Sequence, residues 1–100
     1  MIPRHNSEKR ITWHVRKNQT NKAKHKISFE EAATVFYDPL SLTVDDPEHS
    51  AYERRLHIIG ESDRGRLIVV SFTELKNEIR IISAQKPTGL ERKQYEENPV

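Results

Sequence analysis

The 100-residue chain contains no cysteine and only three glycines. Without cysteine there is no disulfide framework, no thiolate nucleophile and no cysteine-based zinc site. The shortage of glycine goes with the absence of Gly-x-Gly-x-x-Gly, phosphate-loop and Gly-x-Ser-x-Gly motifs, which argues against nucleotide cofactors and serine-hydrolase chemistry. Apolar residues are also few. They make up 34% of the chain, against about 45–50% in typical globular domains, so the core is small and a partner is expected to help complete the protein. The longest apolar run is Leu67 to Val70, far short of a membrane span or a secretory h-region. A soluble, cytoplasmic chain with no membrane association is expected, with residues 1–10 as a flexible N-terminal arm and residues 11–97 as one domain.

Charge is plentiful and unevenly placed. The net charge is +2, yet counting along the chain gives +7 for residues 1–29, −7 for 30–63 and +2 for 64–100. Segregation of this kind lets a cationic surface meet a polyanion while the acidic third faces elsewhere. Nucleic acid is favoured over a neutral metabolite.

Periodicity predicts an α+β fold. Ile11 to Val15 alternates apolar and polar residues, as a short edge or first strand does. Arg16 to Lys26 reads as a wet helix, although Asn18, Thr20 and Asn21 weaken it. Ser28 opens a helix with Glu31 as its capping-box partner, and Phe29, Ala32, Ala33 and Phe36 form an apolar stripe that ends at Asp38-Pro39. Strands are expected at Leu56–Ile59, Arg66–Thr73 and Glu78–Ala84, with a weaker one at Leu40–Val44. Short polar connections make the consecutive strands antiparallel hairpins. Thr88 and Glu91 form a second capping box, opening a short C-terminal helix. The expected architecture is a twisted antiparallel sheet with helices on one face.

Several residues can carry chemistry. Strict alternation from Glu78 puts Arg80, Ile82, Ala84 and Lys86 on one face, so two cations share it; a solvated sheet face explains that spacing equally well. Lys22, Lys24, His25 and Lys26 form the densest basic cluster. Such a run is most often a solvated face, but it also suits phosphate binding, with His25 as the group there able to change protonation near neutral pH. Arg64 and Arg66 flank Gly65 in a turn, either as exposed turn residues or as a phosphate clamp. Glu53 is a base or the partner of an arginine. Trp13 is more naturally a core anchor than a base-stacking platform. The five histidines show no pairing that puts two metal ligands on one helical face, so neither metal nor cofactor is expected. An enzyme with this inventory must use acid–base and electrostatic catalysis. RNA cleavage fits, because the substrate's own 2′-hydroxyl is the nucleophile.

The run Lys24-His25, Ser28-Phe29-Glu30-Glu31-Ala32, Val35-Phe36 and Asp38-Pro39 resembles Lys-His-Gly-x-Ser-Phe-Glu-Glu-Ala…Val-Phe-x-Asp-Pro of the BrnT family of type II toxins. Glu53-Arg54, Ile59-Gly60, Arg64-Gly65-Arg66, Val69-Val70, Ile79-Arg80-Ile81-Ile82-Ser83-Ala84, Lys86 and Glu91-Arg92…Tyr95-Glu96 continue the likeness over about residues 11–97. The resemblance implies a RelE-like fold and an endoribonuclease toxin that slows growth. It also implies a BrnA-like antitoxin, through which alone operator DNA is bound, and a toxin homodimer within the complex. It raises Lys24, His25, Arg80 and Lys86 as site residues. The chain departs from the pattern at Trp13-His14, where the family often has Trp-Asp, at Lys26, where it has Gly, and at Gln85, where it has Arg. Losing a cation at Gln85 weakens catalysis if that position meets the scissile phosphate.

The resulting assignment gives Arg80 and Lys86 the phosphate, His25 the proton transfer with Glu53 as substitute base, and Lys24, Lys26, Arg64 and Arg66 the outer RNA contacts. The alternative is a catalytically weak or inactive module of the same fold that binds nucleic acid or an acidic protein.

Overall fold

The structure is a computed structural model that describes residues 9–98. In chain order the elements are β1 (Arg10–Thr12), α1 (Val15–His25), α2 (Phe29–Thr34) with a 3-10 turn (Val35–Tyr37), β2 (Leu42–Asp45), a 3-10 turn (Pro47–His49), β3 (Arg55–Glu61), β4 (Leu67–Glu74), β5 (Glu78–Gln85) and α3 (Gly89–Glu97). The five strands form one sheet in the order β1-β5-β4-β3-β2. Strands β2 to β5 are antiparallel, as the short connections dictate, whereas β1 runs parallel to β5. The sheet is therefore mixed, which corrects the all-antiparallel expectation: α1 and every later element intervene between β1 and β5, so no hairpin constrains their direction.

The expected arm lies largely outside the described residues. Lys9 and Arg10 are tied to the sheet: Lys9 Nζ donates to Glu74 (3.0 Å) and to the Leu75 carbonyl (2.8 Å), and Arg10 begins β1. The first strand is shorter than its alternation suggests. The chain turns at Trp13-His14 and Val15 already starts α1, because the indole packs edge-on against Phe29 (6.2 Å between ring centroids) and joins the core. Trp13 is thus a core anchor.

One face of the sheet carries the core. Leu56, Ile58, Ile68, Val70, Phe72, Ile79, Ile81 and Ala84 meet Ile27, Phe29, Ala32, Val35 and Phe36, with Phe36 edge-on to Phe72 at 5.0 Å. Gly60 permits the closest approach, since a Cβ there would stand 2.8 Å from Val35 Cγ1. Asp38, at the end of this helical unit, accepts from the Glu61 N–H (2.8 Å) and from the Tyr95 hydroxyl (2.7 Å), which fastens α3 over the end of the sheet. Burial and the Asp38 carboxylate both push the Tyr95 phenol upward from its ordinary pKa.

The asparagines that weaken α1 as an isolated helix are the residues that dock it. Asn18 accepts from the Phe29 N–H (2.8 Å) and donates to Glu30 (3.0 Å), capping α2 from outside. Asn21 donates to the carbonyls of Ile27 (2.9 Å) and Ala84 (2.8 Å) and accepts from the Ala84 N–H (3.1 Å). Because β1 pairs with β5 only as far as Arg80, Ala84 lies on a stretch of edge beyond that strand, and Asn21 satisfies it as a strand would.

The expected capping boxes divide. Thr88 and Glu91 form both reciprocal bonds. Ser28 accepts from the Glu31 N–H as expected, but Glu31 turns away to bind Arg66 and Ser62, because a buried carboxylate gains more from a guanidinium than from one N–H.

Candidate active site on the polar face of the sheet

The face of the sheet opposite α2 is built by the alternate residues of β3, β4 and β5. Register places Arg55, Thr73 and Arg80 in one row across the strands, and His57, Ser71 and Ser83 in the next. A β-bulge decides which residues of β5 reach it. Ser71 pairs with Ser83 but Phe72 pairs with Ile81, leaving Ile82 without an opposite residue. One extra residue reverses the alternation beyond it. Ile79, Ile81 and Ala84 all enter the core, while Arg80, Ser83 and Gln85 share the polar face. The expectation that Arg80, Ile82, Ala84 and Lys86 lie on one face is therefore corrected. Lys86 instead lines a depression on the core side with Ile27, Arg66, Arg92 and Tyr95.

Arg80 meets Glu53, with Nη2 3.8 Å from the carboxylate. Among the described residues, three buried polar atoms have no hydrogen-bond partner, and all three belong to the first row: Arg55 Nε, Thr73 Oγ1 and Arg80 Nε. Thr73 is fully buried. Unpartnered buried donors cost about 1–3 kcal/mol each and are uncommon in folded proteins, so this row is the candidate site on this face.

The second row holds a connected chain of side chains. Asp46 Oδ2 lies 2.8 Å from His57 Nε2 and 2.9 Å from His49 Nδ1, and His57 Nδ1 lies 2.9 Å from Ser71 Oγ. The turn after β2 holds Asp46 in place: its N–H donates to the Arg55 carbonyl (2.9 Å), its own carbonyl accepts from Ser50 Oγ (2.6 Å), and Ser50 Oγ accepts from the Arg55 N–H (3.0 Å). Burial works to raise the Asp46 pKa, but hydrogen bonds from His49 and His57 outweigh it and hold the carboxyl below its ordinary value. Sequence reading missed this set. Its members come from separate elements, and the available signal was that His57 alternates with the core residues Leu56 and Ile58.

The remaining predicted residues lie in two other places. Lys24 and His25, in the last turn of α1 where cations complement the helix dipole, line a shallow depression along that helix with His14, Arg16, Lys17, Ile82 and Ser83, so it adjoins the second row at Ser83. Lys26 and Arg64 line another with Lys22, Ser28, Glu31 and Arg66. There Arg66 is engaged by Glu31 through Nε (3.0 Å) and Nη2, while Nη2 also reaches the Lys26 carbonyl (3.2 Å). Arg66 therefore serves chiefly to bind the β3–β4 turn to α2. The Arg66 bond holds the Glu31 carboxyl below its usual pKa, against burial and with help from Ser62. Arg80 and Glu53 are thus brought together, while His25 and Lys86 stand with other neighbours.

No group of three or more His, Cys, Asp or Glu side chains among the described residues is arranged to hold a metal ion, and no helix among them is long and apolar enough to cross a membrane.

Comparison with known proteins places the chain. No curated protein matches it. The crystal structure of the Brucella abortus ribonuclease toxin BrnT is similar, with a TM-score of 0.63 and 25% sequence identity over 80% of this chain and 97% of that one. Residues 13–91 match the family described as the ribonuclease toxin BrnT of type II toxin-antitoxin systems. The α+β fold and most of the length agree with that match, and the chain belongs to the BrnT ribonuclease toxin family.

Proposed function

We propose that the chain is a metal-independent endoribonuclease that cuts RNA in the cytoplasm to slow growth, held inactive by a BrnA-like antitoxin. In this reading the antitoxin complex contains a toxin homodimer and reaches operator DNA only through the antitoxin. The observation that carries it is the row Arg55, Thr73 and Arg80. Arg55 and Arg80 flank Thr73 with their Nε atoms unpartnered inside the fold, and two neighbouring guanidinium groups suit the charge of a phosphodiester and of a pentavalent phosphorane. Glu53 occupies the near side of Arg80 in the free protein and is displaced by phosphate or turned into a base for the 2′-hydroxyl. Lys24 and His25 supply the outer surface along which the RNA backbone lies, since their depression also includes Ser83 of this face; Lys26, Arg64 and Lys86 stand on the side of α2 and α3 and add to the positive field around it. His25 keeps its role as a proton carrier only if the strand crosses the α1 depression.

The test is cleavage of bulk RNA in EDTA by wild type, Arg80→Ala and His25→Ala. Arg80→Ala is expected to lose about 10²- to 10³-fold in rate, the scale for removing one electrostatic stabiliser. Equal cleavage by all three proteins overturns the site, and loss of wild-type activity in EDTA overturns metal independence. Growth arrest on induction, relieved by the neighbouring gene, tests the toxin role.

Gln85 favours a second reading. It stands on the polar face where the resembling pattern has arginine, so a binding module with little catalysis has one specific observation behind it. RNA binding with a steep salt dependence and no cleavage decides for that module.

A further inference from the structure

We infer that His57 is the proton-transferring catalytic residue of this site and that Asp46 is its positioning residue. The inference deepens the ribonuclease reading and rests on it. A carboxylate only accepts hydrogen bonds, so the contact of 2.8 Å between Asp46 Oδ2 and His57 Nε2 requires the proton to be on Nε2. In the neutral ring Nδ1 is then the lone-pair nitrogen, and the Ser71 hydroxyl, 2.9 Å away, donates to it. The ring is thereby fixed at both ends and in one tautomer, the arrangement that makes an imidazole a base rather than a surface histidine. Asp46 is nine-tenths buried and anchored through its own backbone, while the His57 side chain is 29% exposed. The ring is therefore held from the inside, and its Nδ1 meets substrate by way of the Ser71 hydroxyl, on a residue that is 9% exposed.

Register puts His57 beside the arginine row, since it is two residues from Arg55 on β3 and Ser71 is two from Thr73 on β4. A phosphodiester on Arg55 and Arg80 thus has an imidazole in the adjacent row. In the step, the 2′-oxygen attacks phosphorus and its proton passes to Ser71 Oγ as the Ser71 proton passes to His57 Nδ1. The bond from phosphorus to the 5′-oxygen breaks, and that oxygen takes a proton from water. The imidazolium then returns its proton to the resulting hydroxide. The products are a 2′,3′-cyclic phosphate and a 5′-hydroxyl, with no oxidation or reduction and no co-reactant besides water. The charged and titratable groups around His57 are Asp46 and His49 from the turn after β2, Arg55 on its own strand, and Arg80 with Glu53. Asp46 stabilises the imidazolium, and the two arginines oppose it.

The experiment measures kcat and KM against pH on a short RNA for wild type, His57→Gln and Asp46→Asn, with the end groups of the products identified. Affinity for the 2′-deoxy analogue, which cannot be cleaved, is measured in parallel to report a folded site. Wild type is expected to lose activity on the acid side as an imidazole protonates and to leave 2′,3′-cyclic ends. His57→Gln is expected to bind the analogue normally but to fall about 10²- to 10⁴-fold, the range for a positioned acid or base, and to lose the acid limb. Asp46→Asn is expected to lower kcat with KM little changed, because the ring is no longer held in the tautomer that leaves Nδ1 free to accept a proton. Wild-type rate and profile in His57→Gln overturn the assignment and leave the ribonuclease reading standing. An unchanged kcat in Asp46→Asn overturns the positioning role, and intact RNA with wild type overturns both readings.

Discussion

Asn21 holds the edge of β5 at Ala84 by donating to its carbonyl at 2.8 Å and accepting from its N–H at 3.1 Å. Asn21→Ala leaves both backbone groups, and the Ile27 carbonyl, without this partner. At about 1–3 kcal/mol per stranded buried group, partly relieved by water, a net loss of about 3 kcal/mol is expected. For a domain of this size that lowers Tm by roughly 12–24 °C. Thermal melting by circular dichroism checks it, and a change under 3 °C shows that the contact is dispensable.

Stability should fall in acid through Glu31. Arg66 depresses its pKa in the folded state, with burial opposing and Ser62 assisting. A carboxyl with a depressed folded pKa contributes fully above its unfolded value, about 4.3, and loses that contribution as pH falls through the folded value. Glu31→Gln is expected to cost about 3 kcal/mol at pH 7. Its deficit relative to wild type should narrow between pH 5 and pH 3, on the scale set by those carboxyl values. Asp46 and Glu30 are depressed as well and leave a residual acid slope in the variant. Parallel denaturation curves across that range decide it, and a constant deficit removes Glu31 from the acid response.

Lys26 ends α1 in the left-handed region, at φ 61°. Side chains are disfavoured there, and glycine is the usual residue at such a terminus. Lys26→Gly should therefore stabilise the protein by up to about 1 kcal/mol, the left-handed cost of a side chain less the extra backbone entropy of glycine, even though it removes the Lys26 Nζ bond to the Ala23 carbonyl. The expected sign is a higher urea midpoint at unchanged slope; a lower midpoint means that the lysine contributes more than its backbone costs.

Gln85→Arg restores a cation on the face that carries Arg80. If RNA crosses that face, cleavage should rise about tenfold or more at low salt, a conservative fraction of what one electrostatic stabiliser supplies, and the salt dependence of binding should steepen by about one counterion. Equal rates and equal slopes place position 85 outside the RNA path.

Strands β3 to β5 were legible because their Ile- and Val-rich runs are long and separated by short polar turns. The Thr88 capping box was legible because it is local. Three features were not, each for a physical reason. The bulge at Ile82 sits in Ile-Arg-Ile-Ile-Ser-Ala, where nothing distinguishes an extra residue from regular alternation. The asparagines of α1 oppose helix formation in isolation, and their buried partners at Phe29 and Ala84 are supplied by tertiary structure. Asp46, His57 and Ser71 meet only through the pairing of β3 with β4 and the turn after β2. The basic cluster at Lys24 and His25 was conspicuous because its members are adjacent in sequence, and that adjacency drew attention from residues that only the register assembles.

The bulge in β5 also constrains how this site can change by substitution. Positions 80, 83 and 85 open onto one surface, so a positive charge can be exchanged among them and still meet the same bound strand. Position 86 lies on the opposite side of the sheet, so a lysine there cannot stand in for a lost arginine at 80 or 85. Deleting Ile82 would remove the bulge and join the two halves into one regular strand, with Ser83 and Gln85 still on the face of Arg80 and Ala84 still in the core.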